Sequence, residues 1–277
     1  MMRRLLPAVV RVASRFACGL AFGLVIAIIA LLAFESRGVL TAGFLTQPPS
    51  GLPIGREGGV GPAILGSLLL GGTACLFGSI LGLSVAMRLV CGRPSAFEAA
   101  LLHMAVRVTA GIPSIVLGLF GAAFLVSRLR MGLSLLAAGI VLGIMIFPFI
   151  EVRAEEAFLR ERARLFEPSL ALGLGRYASV FRLVVPACLP DLESAAAQAA
   201  GFAMGATAPV MFTGAVFYSS APLGPLSPVT ALPLHLYVLV SQGLSFDRAA
   251  ATALVLVALV LILNAAAFLL SGRTRRR

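Results

Sequence analysis

Long apolar segments constrain this chain more than any other feature of its sequence. They are separated by short stretches that carry arginine, glycine and proline. A helix needs about 20 apolar residues to cross the hydrocarbon core of a bilayer, where its backbone groups must all be paired internally. The sequence therefore predicts an all-α integral membrane protein with six transmembrane helices, at 16–34, 62–87, 96–127, 133–150, 192–217 and 249–270.

The third apolar segment is too long for one straight span. The sequence Gly111-Ile112-Pro113-Ser114 interrupts it, and proline after glycine disfavours a continuous helix. Ser95 and Glu98 have the spacing of a capping box, which predicts where the first part begins. We expect an amphipathic helix, a break and then the span itself.

Two pairs of glycines indicate which spans pack closely. Gly78 and Gly82 lie four apart in the second span, and Gly139 and Gly143 lie four apart in the fourth. Small residues at this spacing let helix backbones approach each other inside a membrane. By contrast, the apolar piece at 232–240 is too short to span, so we expect it in an external loop.

The distribution of arginine predicts the orientation. All 22 basic residues are arginine and the net charge is +11. Five arginines fall in the loops on one side of the predicted topology: Arg37, Arg56, Arg128, Arg130 and Arg248. The other 17 fall in the loops on the opposite side and at the termini. By the positive-inside rule both termini are cytosolic. We expect a cytoplasmic segment at 1–15, a transmembrane domain at 16–270 and a basic cytoplasmic tail at 271–277.

Residue content argues against several functions. A Walker A loop needs a lysine and this chain has none, so the chain cannot itself be a P-loop ATPase. The four cysteines are scattered, which predicts neither a disulfide framework nor a zinc site. His103 and His235 fall on opposite sides of the predicted topology and form no dyad. The arginines form no stripe with interleaved aromatics, so we expect no nucleic-acid partner. From the missing lysine and the separated histidines we expect no enzymatic activity, and we expect no cofactor on this chain.

The predicted cytosolic loop at 151–190 has an unusual polar pattern. Glu167 is expected to begin a short helix with Pro168 at its first position, and Gly173 to supply the left-handed turn that ends it. A second helix is expected from Arg176 until Pro186 stops it. An ordinary amphipathic loop is the alternative interpretation.

This pattern resembles the EAA loop of ABC importer permeases. The match consists of an acidic residue, two small residues, a glycine and a closing hydrophobic-x-hydrophobic-Pro: Glu167, Pro168-Ser169 in place of Ala-Ala, Gly173, Leu183, Val185 and Pro186. In that family the loop docks in a cleft of a separate ATPase. The resemblance implies a coupling role for Glu167, Pro168, Ser169, Gly173, Arg176 and Pro186.

Three further stretches resemble the PstA-type permeases of bacterial phosphate ABC importers. They are FLTQPPSG with GGVGPAILGSLLL inside 44–70, AGIPSIVLGLFG at 110–121 and GATAPVMFTGA at 205–215. The resemblance implies the type I ABC importer (MetI-like) fold. That family usually has Gly-Glu-Thr-Ala-Pro with an arginine a few residues earlier, whereas this chain has Ala206 in place of the glutamate and Phe202 near the arginine position.

Two helix breaks are candidates for the substrate pathway. A half-helix that begins near Pro113 would direct free N–H groups at a cavity, which suits an oxyanion; a packing kink is the alternative. Arg107 either attracts an anion or extends to the headgroups. The residues assigned to the pathway are Gly111, Pro113, Ser114, Thr207, Pro209 and Arg107.

The resemblance implies a permease subunit of an ATP-driven importer, for phosphate or for a related oxyanion. A transport-inactive membrane scaffold or sensor that docks an ABC ATPase is the alternative. The implied partners are a PstC-like second permease, two PstB-like ATPase subunits that bind ATP and Mg, a PstS-like periplasmic binding protein and membrane lipids. The implied location is the bacterial inner membrane.

Overall fold

A computed structural model describes residues 2–214, 216 and 224–274. The end of the predicted tail, at 275–277, and the end of the fifth predicted span, at 217, lie outside the described residues. Helices account for most of what is described, with one short β-hairpin. The first half contains α1 Met2–Glu35, α2 Ala42–Thr46, β1 Pro49–Ser50, β2 Glu57–Gly58, α3 Gly61–Cys91, α4 Ala96–Gly111 and α5 Ser114–Gly121, which continues as a π-helical turn at Ala122–Arg128.

The second half has longer helices joined through π-helical turns. Three of its helices are longer than 20 residues, and the others are short. Its elements are α6 Leu135–Glu161, a π turn at Arg162–Phe166, α7 Glu167–Ala171, α8 Arg176–Ser179, a π turn at Val180–Val184, α9 Val185–Gly205, α10 Ala208–Thr213, α11 Leu232–Ser241 and α12 Phe246–Thr274.

The long helices correspond to the predicted spans. Within the described residues, α1, α3, α6 and α12 are each long and apolar enough to cross a membrane, and the bent pair of α4 and α5 makes a fifth candidate. The break at Gly111 to Ser114 is confirmed, because α4 and α5 meet there at 99°. The fifth predicted span corresponds to α9 and α10, which do not meet the same criterion of length and apolarity. The count of six spans therefore stays a prediction.

The most extensive contact between two helices is that of α3 with α6, and glycine makes it possible. A methyl group added at Gly143 would lie 2.7 Å from the Phe77 Cβ, and one at Gly78 would lie 2.8 Å from a side-chain carbon of Ile146. Gly82 would meet the Phe147 carbonyl at 3.0 Å. The predicted packing role of these glycines is confirmed. Large buried side chains, among them Leu70, Leu142 and Ile146, fill the space alongside.

The outer elements are tied to this pair by polar contacts. Ser67 on α3 accepts a 2.8 Å hydrogen bond from the Leu232 amide, which fixes the start of α11. At ten residues, α11 is too short to span, as predicted. Ser95 caps α4 by accepting from the Glu98 amide at 3.2 Å, which confirms the capping prediction. The Glu98 carboxylate then pairs with Arg88 at the end of α3 at 2.6 Å.

Two local predictions are wrong. Pro186 does not stop a helix, because the chain runs from α8 through a π turn into α9 with Pro186 in the first turn. Glu167 does not begin a separate helix, because α6 continues through its own π turn into α7.

Both corrected helix ends have the same physical explanation. The Glu167 amide donates to the Arg162 carbonyl and the Val185 amide to the Val180 carbonyl, five residues back in each case. A proline follows each of these amides. Proline has no N–H and its ring clashes with the carbonyl four residues back. The wider π turn relieves this conflict and lets both helices continue through the proline.

Replacing Gly143 by alanine should destabilise the protein. The added methyl would press on the Phe77 Cβ, which is fixed to the backbone of α3 and cannot rotate away. We expect a loss of about 1–3 kcal/mol, as for other overpacked cores, seen as a lower apparent melting temperature in detergent. Gly72→Ala is the matched control, because no atom lies within 4 Å of the added methyl. Equal melting temperatures for the two variants would contradict the packing argument.

Candidate functional site

The two predicted helix breaks meet at one cavity. It has a volume of about 620 Å³ and lies between α5, α6, α9 and α12. Ser114 and Thr207 supply its hydroxyl groups, and the rest of its lining is apolar. The other lining residues are Met145, Gly201, Phe202, Gly205, Ala206, Leu256, Val257, Val260 and Leu261.

The first break directs the start of α5 toward this cavity. Pro113 has φ −56° and ψ 135°, so it ends the helical geometry between Gly111 and Ser114. The first hydrogen bond of α5 is donated by Val116 to the Pro113 carbonyl at 2.9 Å. The Ser114 amide therefore precedes that bond. Amides at this position have no partner inside the helix, and they carry the positive end of its dipole.

The second break has a similar construction. The chain leaves α9 at Gly205, and Thr207 precedes α10, whose first bond runs from the Met211 amide to the Thr207 carbonyl at 3.0 Å. Pro209 occupies the first turn of α10 and is buried. A methyl group added at Gly118 would lie 2.9 Å from the Pro209 Cα. The two half-helices α5 and α10 therefore pack backbone to backbone.

The remaining pathway candidates lie outside the cavity lining. Gly111, Pro113 and Pro209 shape the breaks but do not line the cavity. Arg107 is exposed on α4, one turn before Gly111, and is also not among the lining residues. Phe202 and Ala206 both line the cavity, one turn apart on α9. Both positions therefore face the same space as Ser114 and Thr207.

The predicted coupling segment is a second candidate site. Gly173 has φ +84° and ends α7 in a left-handed turn, as expected. The Leu174 amide donates to the Ser169 carbonyl at 3.0 Å across this turn. Glu167 accepts from Arg162 at 3.0 Å, and Arg176 donates to the Cys91 carbonyl at 3.4 Å. These bonds hold the segment against the end of α3.

Ser169 is buried within the coupling segment. Its side chain is only 4% exposed and its hydroxyl donates to the Phe166 carbonyl at 2.7 Å. Phe166, which accepts this bond, belongs to a buried cluster with Phe158 of α6 and Val184 of the π turn before α9. The structure therefore gives Ser169 a supporting position within the segment.

The exposed tip of the segment contains residues that sequence reasoning missed. Leu172 is 82% exposed and Tyr177 is 83% exposed. The Tyr177 ring stacks on the Phe181 ring, with 6.2 Å between the ring centres. The sequence did contain a signal for this exposed tip, because large apolar side chains lie on both sides of the helix-ending Gly173 inside a charged loop. Such a surface is typical of a contact with another protein.

Burial keeps two titratable groups outside the predicted spans neutral. Burial raises the pKa of the Cys188 thiol to about 12, and the nearby Glu161 and Asp191 charges add to this effect. Burial lowers the pKa of His235 to about 4, with a further contribution from Arg248. Neither side chain is charged at neutral pH. Among the described residues, no group of three or more histidine, cysteine or acidic side chains is arranged to hold a metal ion.

Comparison with known proteins gives relatives over most of the chain. No protein-family model matches. A probable phosphate transport system permease protein PstA from Methanocaldococcus jannaschii is 31% identical over 208 residues, or 75% of this chain and 73% of the relative. The phosphate transport system permease protein PstA 1 of Mycobacterium tuberculosis is 32% identical over 247 residues, or 86% of this chain and 80% of the relative.

The fold matches that of a solved importer. A structure of the MetNI methionine ABC transporter in an inward-facing conformation aligns with a TM-score of 0.63 and 23% identity. The alignment covers 76% of this chain and 94% of that one. The likeness confirms the MetI-like ABC importer fold predicted for this multi-pass membrane protein. Together with the sequence relatives, it establishes that the chain belongs to the PstA family of ABC importer permeases.

Proposed function

We propose that this chain is one of two membrane-spanning subunits of an ATP-driven importer for inorganic phosphate and forms half of the translocation pathway. The observation that carries the proposal is the cavity at which two broken helices meet and to which Ser114 and Thr207 contribute hydroxyls. The two sequence relatives are named as permeases of phosphate transport systems, which supports phosphate as the substrate. Both termini are proposed to be cytosolic, in the bacterial inner membrane.

The chemistry of the cavity suits an anion that must be released. The start of α5 offers amide hydrogens and a positive dipole end, which favour an oxyanion. Hydrogen bonds from hydroxyls and amides contribute about 0.5–1.5 kcal/mol each after desolvation. Binding of this kind is weak enough to be reversed in each transport cycle. Arg107 is proposed to attract anions toward the break from its exposed position on α4.

The coupling segment is proposed to dock on a separate ATPase. Its exposed apolar tip at Leu172 and Tyr177 would enter a cleft in that partner, and its hydrogen-bonded base would transmit the movement to α6 and α9. ATP and Mg would be bound by the ATPase. The proposed complex has a PstC-like second permease, two PstB-like ATPases and a PstS-like periplasmic binding protein, and this chain performs no covalent chemistry.

The alanine at position 206 supports two alternatives to the proposed function. The usual glutamate of the family is absent, so the substrate is either phosphate bound without that carboxylate or a related oxyanion. The other alternative is a transport-inactive scaffold or sensor that retains ATPase docking.

The direct test is uptake of labelled phosphate by proteoliposomes that contain this chain with its second permease, its ATPase and its binding protein. Arsenate, sulfate and molybdate serve as competitors. ATP-dependent accumulation that only arsenate suppresses would support phosphate. ATP hydrolysis without uptake of any oxyanion would support the scaffold.

Replacing Gly173 by valine should uncouple ATP hydrolysis from transport. Valine at φ +84° is strained by roughly 1–2 kcal/mol or more, so the turn after α7 should rearrange. We expect phosphate imported per ATP to fall about fivefold or more, with normal amounts of protein in the membrane. Gly175→Val is the matched control, because Gly175 has φ −67° and no atom lies within 4 Å of an added Cβ. Equal coupling in both variants would exclude a role for the turn.

Replacing Ala206 by glutamate should impair transport. The carboxylate would enter a cavity with no cation among its lining residues and would repel an anion. Burying this charge costs roughly 2.5–3.5 kcal/mol on insertion scales. Adding Phe202→Arg places a positive charge one turn away and should recover part of the uptake. The measurement is the initial rate of phosphate import, and Ala206→Gln is the uncharged control. Faster import by the single glutamate variant would contradict recognition by backbone and hydroxyl groups.

A further inference from the structure

A second, smaller cavity lies between α6 and α9 on the side of the coupling segment. Its volume is about 190 Å³. Unlike the cavity at the helix breaks, it is lined almost entirely by charged and polar side chains: Arg153, Glu156, Arg160, Asp191, Ser194 and Gln198. We refer to these six residues as the exit pocket.

The exit pocket continues the faces that line the larger cavity. On α9, Asp191, Ser194 and Gln198 have the spacing of one helical face, and that face continues to Phe202 and Gly205. On α6 the corresponding face runs from Met145, in the larger cavity, to the arginines of the exit pocket. One face of each helix therefore links the two cavities.

The charges in the exit pocket are only partly paired. Arg160 donates to Asp191 at 2.6 Å. The four-residue spacing of Glu156 and Arg160 suggests a pair between those two residues, and the bond to Asp191 takes its place. Among the described residues, Glu156 and Arg153 form no ion pair, and the Arg153 guanidinium lies 5.9 Å from the centre of the Phe149 ring. Gln198 donates to the Ser194 oxygen at 3.1 Å, so the Ser194 hydrogen is still able to donate.

We infer that the exit pocket binds the transported anion on its way to the cytosol and selects a protonated tetrahedral oxyanion. The inference rests on the proposed function and extends it to a second site. Arg153 would donate to the anion through its guanidinium, which matches the oxygens of a tetrahedral oxyanion. Glu156 would accept the hydrogen of the anion's own O–H group, because an ionised carboxylate is only an acceptor.

This combination of residues discriminates between oxyanions. Hydrogen phosphate and hydrogen arsenate keep at least one O–H at neutral pH, so they satisfy the arginine and the carboxylate together. Sulfate has no proton to donate, and the Glu156 carboxylate repels it. The exit pocket therefore selects by proton content, a property that the hydroxyls and amides of the larger cavity do not provide.

The test measures inhibition of import by oxyanions on the cytosolic side. Proteoliposomes of the full complex are loaded with ATP and a series of phosphate or sulfate concentrations, and uptake of labelled phosphate is started by adding loaded binding protein outside. In the unmodified complex, luminal phosphate should slow uptake by occupying the exit pocket, and luminal sulfate should not.

Two substitutions give opposite results if the inference is correct. Arg153→Gln should raise the luminal phosphate concentration for half-inhibition about tenfold or more, the loss expected for one charge-assisted hydrogen bond, and Arg153→Lys should restore part of it. Glu156→Gln should make luminal sulfate inhibitory. Arg15→Gln is the control: it removes the same charge from an exposed position on α1 and should leave inhibition unchanged.

Each contrary result has a definite meaning. Equal inhibition of the unmodified complex and the Arg153→Gln variant, or inhibition by sulfate that Glu156→Gln does not alter, overturns the inference. Import without any luminal inhibition also overturns it and leaves the proposed function intact. Failure of the unmodified complex to import any oxyanion removes the proposed function, and the inference with it.

Discussion

The close approach of α3 and α6 is the contact on which the rest of the structure depends. It is possible because the glycines of each helix leave room for the other backbone, with Gly143 against Phe77 and Gly78 against Ile146. The same helix, α6, then runs without interruption into the coupling segment and ends at Ala171. A displacement at that segment therefore acts on the helix that is packed most tightly in the bundle.

Proline ends a helix at one place in this chain and is accommodated within helices at others, including Pro148 inside α6 and Pro190 inside α9. Before Pro168 and Pro186 a π turn relieves the clash, and the helix continues from the membrane into the coupling segment and back. At Pro113 no such turn precedes the proline, and the helix breaks by 99°. The segments proposed to transmit force are continuous helices, whereas the segment proposed to meet substrate is interrupted.

The sequence predicted the features that depend on local chemistry. The apolar segments, the Gly111 to Ser114 break, the Ser95 cap and the left-handed Gly173 follow from residue type at a single position or spacing. It failed where tertiary contacts decide. The positions of proline do not reveal the π turns that precede them. Arg160 pairs with Asp191, 31 residues away, and not with Glu156, and Ser169 is buried by residues distant in the sequence.

The position of charge along α9 argues for a division of labour between the two cavities. Ala206 and Phe202 line the larger cavity, and no charged side chain is among its lining residues. Charged side chains are found again about three turns closer to the coupling segment, where Asp191 on α9 and Arg153 on the adjacent α6 line the exit pocket and are accessible to water. A charge is far less costly there than at the membrane centre. Selection of the anion by side-chain charge is thus physically easier at the proposed exit than at the helix breaks.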